Sequence, residues 1–211
     1  MILKINTLPT KLGPRDHGRR MSLKAFEFAQ VEDGYICELA RGYVVVSDVA
    51  NFPHFRAVGF IRSHLAHYFV ENPKRVYEIC GTMECKLLIP EWESERHPDI
   101  AVYLTPPSNP KGRTMWRTWF PDLVIEVVSP GSVERDYTQK REEYWSLGVK
   151  DYWIVDANLQ QVLILRRGKN DWIEKTLGVD AHCETKLLPG FKLACRSIFA
   201  AAGEPDESLV D

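Results

Sequence analysis

The most apolar stretch of the chain is PDLVIEVVSP, residues 121–130, where every residue from 123 to 128 except Glu126 is Leu, Val or Ile. A short, mainly β-branched run with proline near each end is typical of a strand buried on both faces. An unpaired carboxylate in such a strand costs on the order of several kcal/mol in lost hydration. The pattern therefore predicts that Glu126 is neutralised, paired with a cation or bound to a metal ion.

Strands and helices alternate in the rest of the hydrophobic pattern. Ser22 is placed to cap a short helix, and YICELARGYVVVSD (35–48) predicts two strands around a tight turn. Apolar residues recur at helical spacing over 55–70 and 133–147. The fold class is therefore α/β or mixed α+β, with a mixed central β-sheet flanked by helices and an extra N-terminal β-hairpin. Further strands are predicted at 76–89, 97–105, 151–156 and 161–167.

Composition limits the domain count and the class of protein. A chain of 211 residues, 45% of them hydrophobic, can bury one sizeable core, so 22–200 is predicted to be a single domain between a flexible leader (1–21) and a flexible acidic tail (201–211). No apolar run is long enough for a membrane span or a signal peptide. The five cysteines form no CxxC pair, which predicts reduced thiols in a cytoplasmic protein. A net charge of −2 means that nucleic acid would have to be bound by a local basic patch.

Two carboxylates and a lysine are the candidate chemical groups. Asp99 opens the strand before Glu126, and both strands begin with Pro-Asp. If these strands are antiparallel neighbours, Asp99 and Glu126 project from one face and can share a hard cation such as Mg²⁺, or Mn²⁺ in its place. Lys140 lies on the helix that follows. A lysine beside two metal-bound carboxylates is the arrangement that a phosphodiester hydrolase needs.

The same motifs carry a family resemblance. PDIAVYL, PDLVIEVVSP, the helix with Asp136-x-x-x-Lys140, Gly148-Val149 and DYWIVD together resemble the Uma2 family of endonucleases, over about residues 22–200. That family is a branch of the PD-(D/E)xK, restriction-endonuclease-like superfamily. The resemblance implies a restriction-endonuclease-like core and a Mg²⁺-dependent endonuclease that acts on nucleic acid, DNA above all.

The resemblance also implies roles for individual residues. Asp99 corresponds to the aspartate of the PD motif and Glu126 to the acidic residue of (D/E)xK, while the superfamily's lysine position holds Val128. Placing the lysine on the following helix, as Lys140, is the family's own variant, so the catalytic set implied is Asp99, Glu126 and Lys140. The backbone carbonyl of Val127 is implied as a further metal ligand.

An upstream motif adds one more implied ligand. YICELARGYVVV resembles the family's YELIDGELV stretch, so Glu38 is implied as a third acidic metal ligand, alongside the alternative that it is structural. Position 43 is Tyr where the family often has Glu, so any role of that second acid is absent here.

Other candidates are better explained by structural roles. Asp122 lies at the far end of its strand from Glu126, and Asp136 is placed to begin a helix or to pair with a lysine. His64 and His67 share a helix face and could bind a metal, but a surface or core role is the better explanation for them.

The stretch KGRTMWRTWF (111–120) is the candidate nucleic-acid-binding segment. Lys111, Arg113 and Arg117 interleave with Trp116 and Trp119, a composition that suits phosphates and bases. The alternative is that the tryptophans anchor this loop in the core.

Three functions remain open at this stage. The first is the metal-dependent nuclease, expected to act as a homodimer because two-fold pairs of active sites suit the two strands of a duplex. The second is a non-catalytic nucleic-acid- or protein-binding module with the same fold. The third is a metal-assisted hydrolase of a small phosphoester, which would not need the basic segment.

Overall fold

Short strands outnumber helices among the residues that the structure describes. The computed structural model describes residues 10–48, 51–110 and 113–203, so residues 1–9 of the predicted leader, residues 204–211 of the predicted acidic tail, and Lys111 lie outside the described residues. No helix in these ranges is both long enough and apolar enough to cross a membrane. In chain order the elements are β1 (Lys11–Leu12), α1 (Leu23–Phe26), β2 (Gln30–Val31), β3 (Tyr35–Ala40), β4 (Tyr43–Asp48), α2 (Phe52–Glu71), β5 (Glu78–Gly81), β6 (Leu87–Ile89), β7 (Ser94–Arg96), β8 (Ile100–Tyr103), β9 (Leu123–Val127), α3 (Lys140–Ser146), β10 (Asp151–Asp156), β11 (Gln161–Arg167), β12 (Trp172–Leu177), β13 (His182–Cys183), β14 (Leu193–Ala194) and α4 (Cys195–Ala201).

The described residues form two compact units. The first comprises 10–48 and 87–96, and the second comprises the remainder. In the first unit, β3 and β4 form the predicted hairpin, and a four-stranded sheet has the order β4-β3-β7-β6. Arg41 and Gly42 both have positive φ (51° and 81°), as the tight hairpin turn requires. Ser22 caps α1 by accepting a hydrogen bond from the backbone N–H of Ala25 at 3.3 Å.

The second unit contains a six-stranded sheet in the order β12-β11-β10-β9-β8-β5. The pair β9–β10 is parallel and the other pairs are antiparallel, so the sheet is mixed as predicted. A parallel pair needs a crossover connection, and the helical residues 133–146 supply it. Strand β9 lies inside the sheet with all five residues buried, as its composition predicts.

Two parts of the sheet differ from the prediction. The single strand expected over 76–89 is wrong: β5 and β6 are separated by a turn at 82–84 and belong to different sheets. Of the usual turn residues only Gly81 marks this break. Strand β12 is missing from the prediction because its middle residues, 173–176, are all exposed and show no alternation at this sheet edge.

Helix α2 packs on the sheet next to β9. Its buried residues Ala57, Ile61, Leu65 and Tyr68 recur at helical spacing and join the core of the second unit. The helix begins at Phe52, three residues before the predicted start. Packing of this apolar face fixes the position of the first turn of α2 against the sheet.

Candidate active site

Asp99 and Glu126 lie side by side at the β8–β9 pair. The antiparallel register pairs Ile100 with Ile125, so the next pair outward is Asp99 opposite Glu126. Directly opposite residues of two strands project from the same face of the sheet. The backbone N–H of Asp99 lies 3.4 Å from Glu126 Oε2, and the N–H of Val127 donates to Asp99 Oδ2 at 2.8 Å. The structure therefore brings the two predicted carboxylates together.

The predicted lysine reaches the same place. Lys140 Nζ lies 2.9 Å from Glu126 Oε1 and 3.0 Å from Asp136 Oδ1, and no more than 5% of any of these three side chains is exposed. Glu126 is thus paired with a cation inside the sheet. Asp136 has the lysine-pairing position that its spacing predicts.

An unusual helical segment presents these groups. Residues Arg135–Gln139 form a π-helical turn that leads directly into α3 at Lys140. A single π turn of this kind is frequent at functional sites. The hydroxyl of the fully buried Tyr144 donates to Glu126 Oε1 at 2.5 Å, and Tyr152 donates to the backbone carbonyl of Asp136 at 2.9 Å. Both contacts tie the helix to the sheet.

Sequence reasoning missed His54. This residue lies in the first turn of α2, and its Nε2 is 3.0 Å from Asp99 Oδ2. Burial lowers the pKa of His54, but the hydrogen bond and charge of Asp99, with the charges of Glu126 and Asp136, outweigh burial and raise it above its usual range. His54 and Asp99 are 45 residues apart, and no sequence motif links them.

The cluster has the chemistry of a cation site. The carboxylates of Glu126 and Asp136 contact the Lys140 ammonium, and the Asp99 carboxylate contacts the His54 imidazole, so three acidic side chains are grouped with one lysine and one histidine. Asp99 Oδ1 forms no hydrogen bond with the described residues, since both contacts of this carboxylate use Oδ2. Within the described ranges, no three His, Cys, Asp or Glu side chains converge as a metal-binding group. The residues fit a hard ion that takes two carboxylates and keeps several waters, as Mg²⁺ does.

The Val127 carbonyl is oriented towards Asp99. Neighbouring residues of a strand direct their backbone polar groups to opposite sides. The N–H of Val128 donates to Val155 on β10, whereas the N–H of Val127 donates to Asp99. The carbonyl of Val127 therefore points to the side on which Asp99 lies.

The remaining residues that the sequence singles out have other partners or are exposed. Glu38 is buried on β3 of the first unit, where Arg96 Nη1 lies 3.3 Å from its Oε2, so it already has a cationic partner. Asp122 accepts a hydrogen bond from the Leu104 N–H and pairs with Lys150, in agreement with a structural role. His64 and His67 are exposed on α2.

The basic segment is only partly described. Arg113 begins a 3₁₀ turn that ends at Arg117, whose side chain is exposed. Trp119 is buried, stacks on Tyr103 with ring centroids 3.8 Å apart, and donates from Nε1 to the Thr105 carbonyl. Trp119 therefore anchors this loop in the core, as one of the two sequence-based alternatives states.

Comparison with known proteins supports a nuclease fold. A crystal structure described as "a putative nuclease belonging to DUF820", from Anabaena variabilis, is similar with a TM-score of 0.69, over 86% of this chain and 99% of that chain. At 16% identity this likeness concerns the fold. The Uma2 family model, described as "Putative restriction endonuclease", matches residues 24–196, and the chain therefore belongs to the Uma2 family. No curated protein matches the chain.

Proposed function

We propose that the protein is a metal-dependent endonuclease that hydrolyses phosphodiester bonds in nucleic acid, DNA above all. The observation that carries the proposal is the contact between the buried Lys140 ammonium and Glu126, with Asp99 directly across the β8–β9 pair. A purely structural role explains this cluster poorly, because burying several charges seldom stabilises a fold more than apolar residues would. Buried charge clusters of this kind are characteristic of functional sites. Membership in the Uma2 family points to the same activity.

Three groups are proposed to hold the metal. They are the carboxylates of Asp99 and Glu126 and the backbone carbonyl of Val127, which offer the oxygen atoms that Mg²⁺ or Mn²⁺ prefers. A divalent cation bound there would polarise the scissile phosphate and lower the pKa of a bound water. Glu38 as a further ligand stays a prediction, since Arg96 already balances its charge within the first unit.

Lys140 is proposed to act on the attacking water. Asp136 holds the ammonium at 3.0 Å, and Tyr144 fixes the Glu126 carboxylate on which the ammonium also rests. An ammonium in this position can donate a hydrogen bond to the water and balance the charge that develops on the phosphate oxygens. Asp136 and Tyr144 thus orient the two groups that take part in the reaction.

The basic segment is proposed to contact the nucleic-acid backbone. Arg117 is exposed in the described turn, and Lys111 and Arg113 stay predictions from the sequence. Lysine and arginine side chains on a loop bind phosphates without regard to base sequence. A homodimer is also part of the proposal, and sedimentation of the purified protein measures it.

Cleavage assays with one charge-neutralising variant test this function. The protein is incubated with plasmid, linear duplex and single-stranded DNA in Mg²⁺, Mn²⁺ or EDTA. We expect cleavage in Mg²⁺ or Mn²⁺, none in EDTA, and none for Glu126→Gln. Glu142→Gln is the matched control, because Glu142 is exposed on α3, and it should cleave at the parental rate. Glu126→Gln should fold, because its amide oxygen can still accept from Tyr144.

The alternative functions give different results. DNA binding without cleavage under any metal condition would favour the non-catalytic binding module. Hydrolysis of a small phosphodiester with no cleavage of DNA would favour the third function. A Glu126→Gln protein that cleaves DNA normally would remove Glu126 from the active site.

A further inference from the structure

A histidine outside the predicted set holds one of the proposed metal ligands. His54 Nε2 lies 3.0 Å from Asp99 Oδ2, and only 15% of either side chain is exposed. The same oxygen accepts the Val127 N–H at 2.8 Å. Two donors thus converge on Oδ2 from two directions and fix the plane of the carboxylate.

The start of α2 fixes the histidine itself. Asn51 caps the helix, and its Oδ1 accepts a hydrogen bond from the backbone N–H of His54 at 3.0 Å. About one and two turns further on, Ala57 and Ile61 are buried in the core of the second unit. His54 Nδ1 is also buried and has no hydrogen-bond partner among the described residues. The polar contact that the imidazole does make is therefore the one to Asp99.

We infer that His54 is a positioning residue for metal binding, acting through Asp99. Its Nε2–H holds Oδ2, so that Oδ1, which forms no hydrogen bond with the described residues, is the oxygen directed to the cation. Hydrogen-bond donors that orient a ligating carboxylate typically change metal affinity by about 10- to 100-fold when they are removed. This inference rests on the proposed metal site. It assigns to His54 a role that helix packing alone would not give it.

Two amide substitutions separate positioning from packing. In His54→Gln the amide nitrogen can take the place of Nε2, so the hydrogen bond to Asp99 is retained. In His54→Asn the amide is too short to reach Asp99. Mn²⁺ binding is measured without substrate, by calorimetry on the full-length protein. We expect His54→Asn to bind Mn²⁺ about 10-fold more weakly and His54→Gln to stay within about threefold of the parent.

Controls make each outcome decisive. His67→Asn removes an exposed histidine from the same helix and should leave Mn²⁺ affinity unchanged. In an Asp99→Asn background, His54→Asn should cause no further loss, because the residue acts through Asp99. His54→Ala also removes the donor and carries the test if His54→Asn does not fold.

Two results overturn the inference in distinguishable ways. If the parent binds Mn²⁺ and His54→Asn or His54→Ala binds it equally well, the role of His54 is wrong while the proposed metal site stands. If the parent itself binds no Mn²⁺, the metal site and the role of His54 both fall.

Discussion

Removing the Lys140 ammonium should destabilise the fold as well as abolish function. In Lys140→Met a side chain of similar length fills the space, but the carboxylates of Glu126 and Asp136 lose their shared cation. At a separation of 2.9 Å and an effective dielectric constant of about 20, one such pair is worth about 6 kcal/mol of Coulomb energy. The desolvation of the ammonium offsets much of this. The net cost of removing one partner from a buried pair is about 3–5 kcal/mol.

Denaturation measures this cost directly. A loss of about 3–5 kcal/mol lowers the melting temperature of a protein of this size by roughly 6–20 °C, and lowers the urea midpoint by roughly 1–3 M. Lys150→Met is the matched control. The Lys150 side chain is 56% exposed and pairs with Asp122, so its loss should cost no more than about 1 kcal/mol.

A double-mutant cycle identifies the source of the loss. Adding Glu126→Gln to Lys140→Met removes one of the two uncompensated charges, so the double variant should be more stable than Lys140→Met alone. The reasoning fails if Lys140→Met has the same melting temperature as the parent protein at neutral pH. That result would mean that the ion pairs of Lys140 contribute nothing measurable to the stability of the fold.

Two further predictions concern other parts of the molecule. Replacing Arg113 and Arg117 with Ala should weaken DNA binding about equally for all sequences. It should also reduce the slope of log binding constant against log salt concentration by about one unit per lost phosphate contact. An unchanged slope in a binding titration would place these arginines outside the interface. Burial raises the pKa of the Asp151 carboxyl, although the Thr185 hydroxyl and Arg166 oppose this. The folded protein therefore binds this proton more tightly than the unfolded chain does. The free energy of unfolding should therefore fall as pH rises from the usual aspartate pKa, about 4, through the higher pKa of the folded protein, and Asp151→Asn should flatten this part of the pH profile. An equal pH dependence in the parent and in Asp151→Asn would contradict that assignment.

The sequence predicts those parts of the fold that depend on local pattern. The apolar run around Glu126 predicts β9, and the two Pro-Asp strand starts predict the neighbour that brings Asp99 alongside. Lys140 is predicted as a site residue because it lies on the helix that directly follows this strand. These features can be predicted because buried strands and amphipathic helices produce characteristic patterns of apolar residues in the sequence.

The missed features depend on contacts between distant residues. His54 reaches Asp99 across 45 positions, and nothing in its neighbourhood distinguishes it from the exposed histidines of the same helix. The π turn at 135–139 is also invisible in the pattern, because one wide turn shifts the helical phase only locally. Within residues 76–89, the single glycine, Gly81, is too weak a turn signal to predict that this stretch forms two strands that belong to different sheets.

The place of the lysine on a helix has a consequence for how activity is lost. Val128 directly follows the last residue of β9 and is buried, so β9 carries the acid while a separate element carries the cation. Parts of a protein can open independently, each with its own free energy. If Lys140 serves the reaction, catalysis requires the helical segment 133–146 to stay docked on the sheet. Mild denaturant, or a substitution that weakens the contacts of this segment, could then undock it from the sheet while the sheet is still folded. Activity would be lost at a lower denaturant concentration than the one that unfolds the sheet.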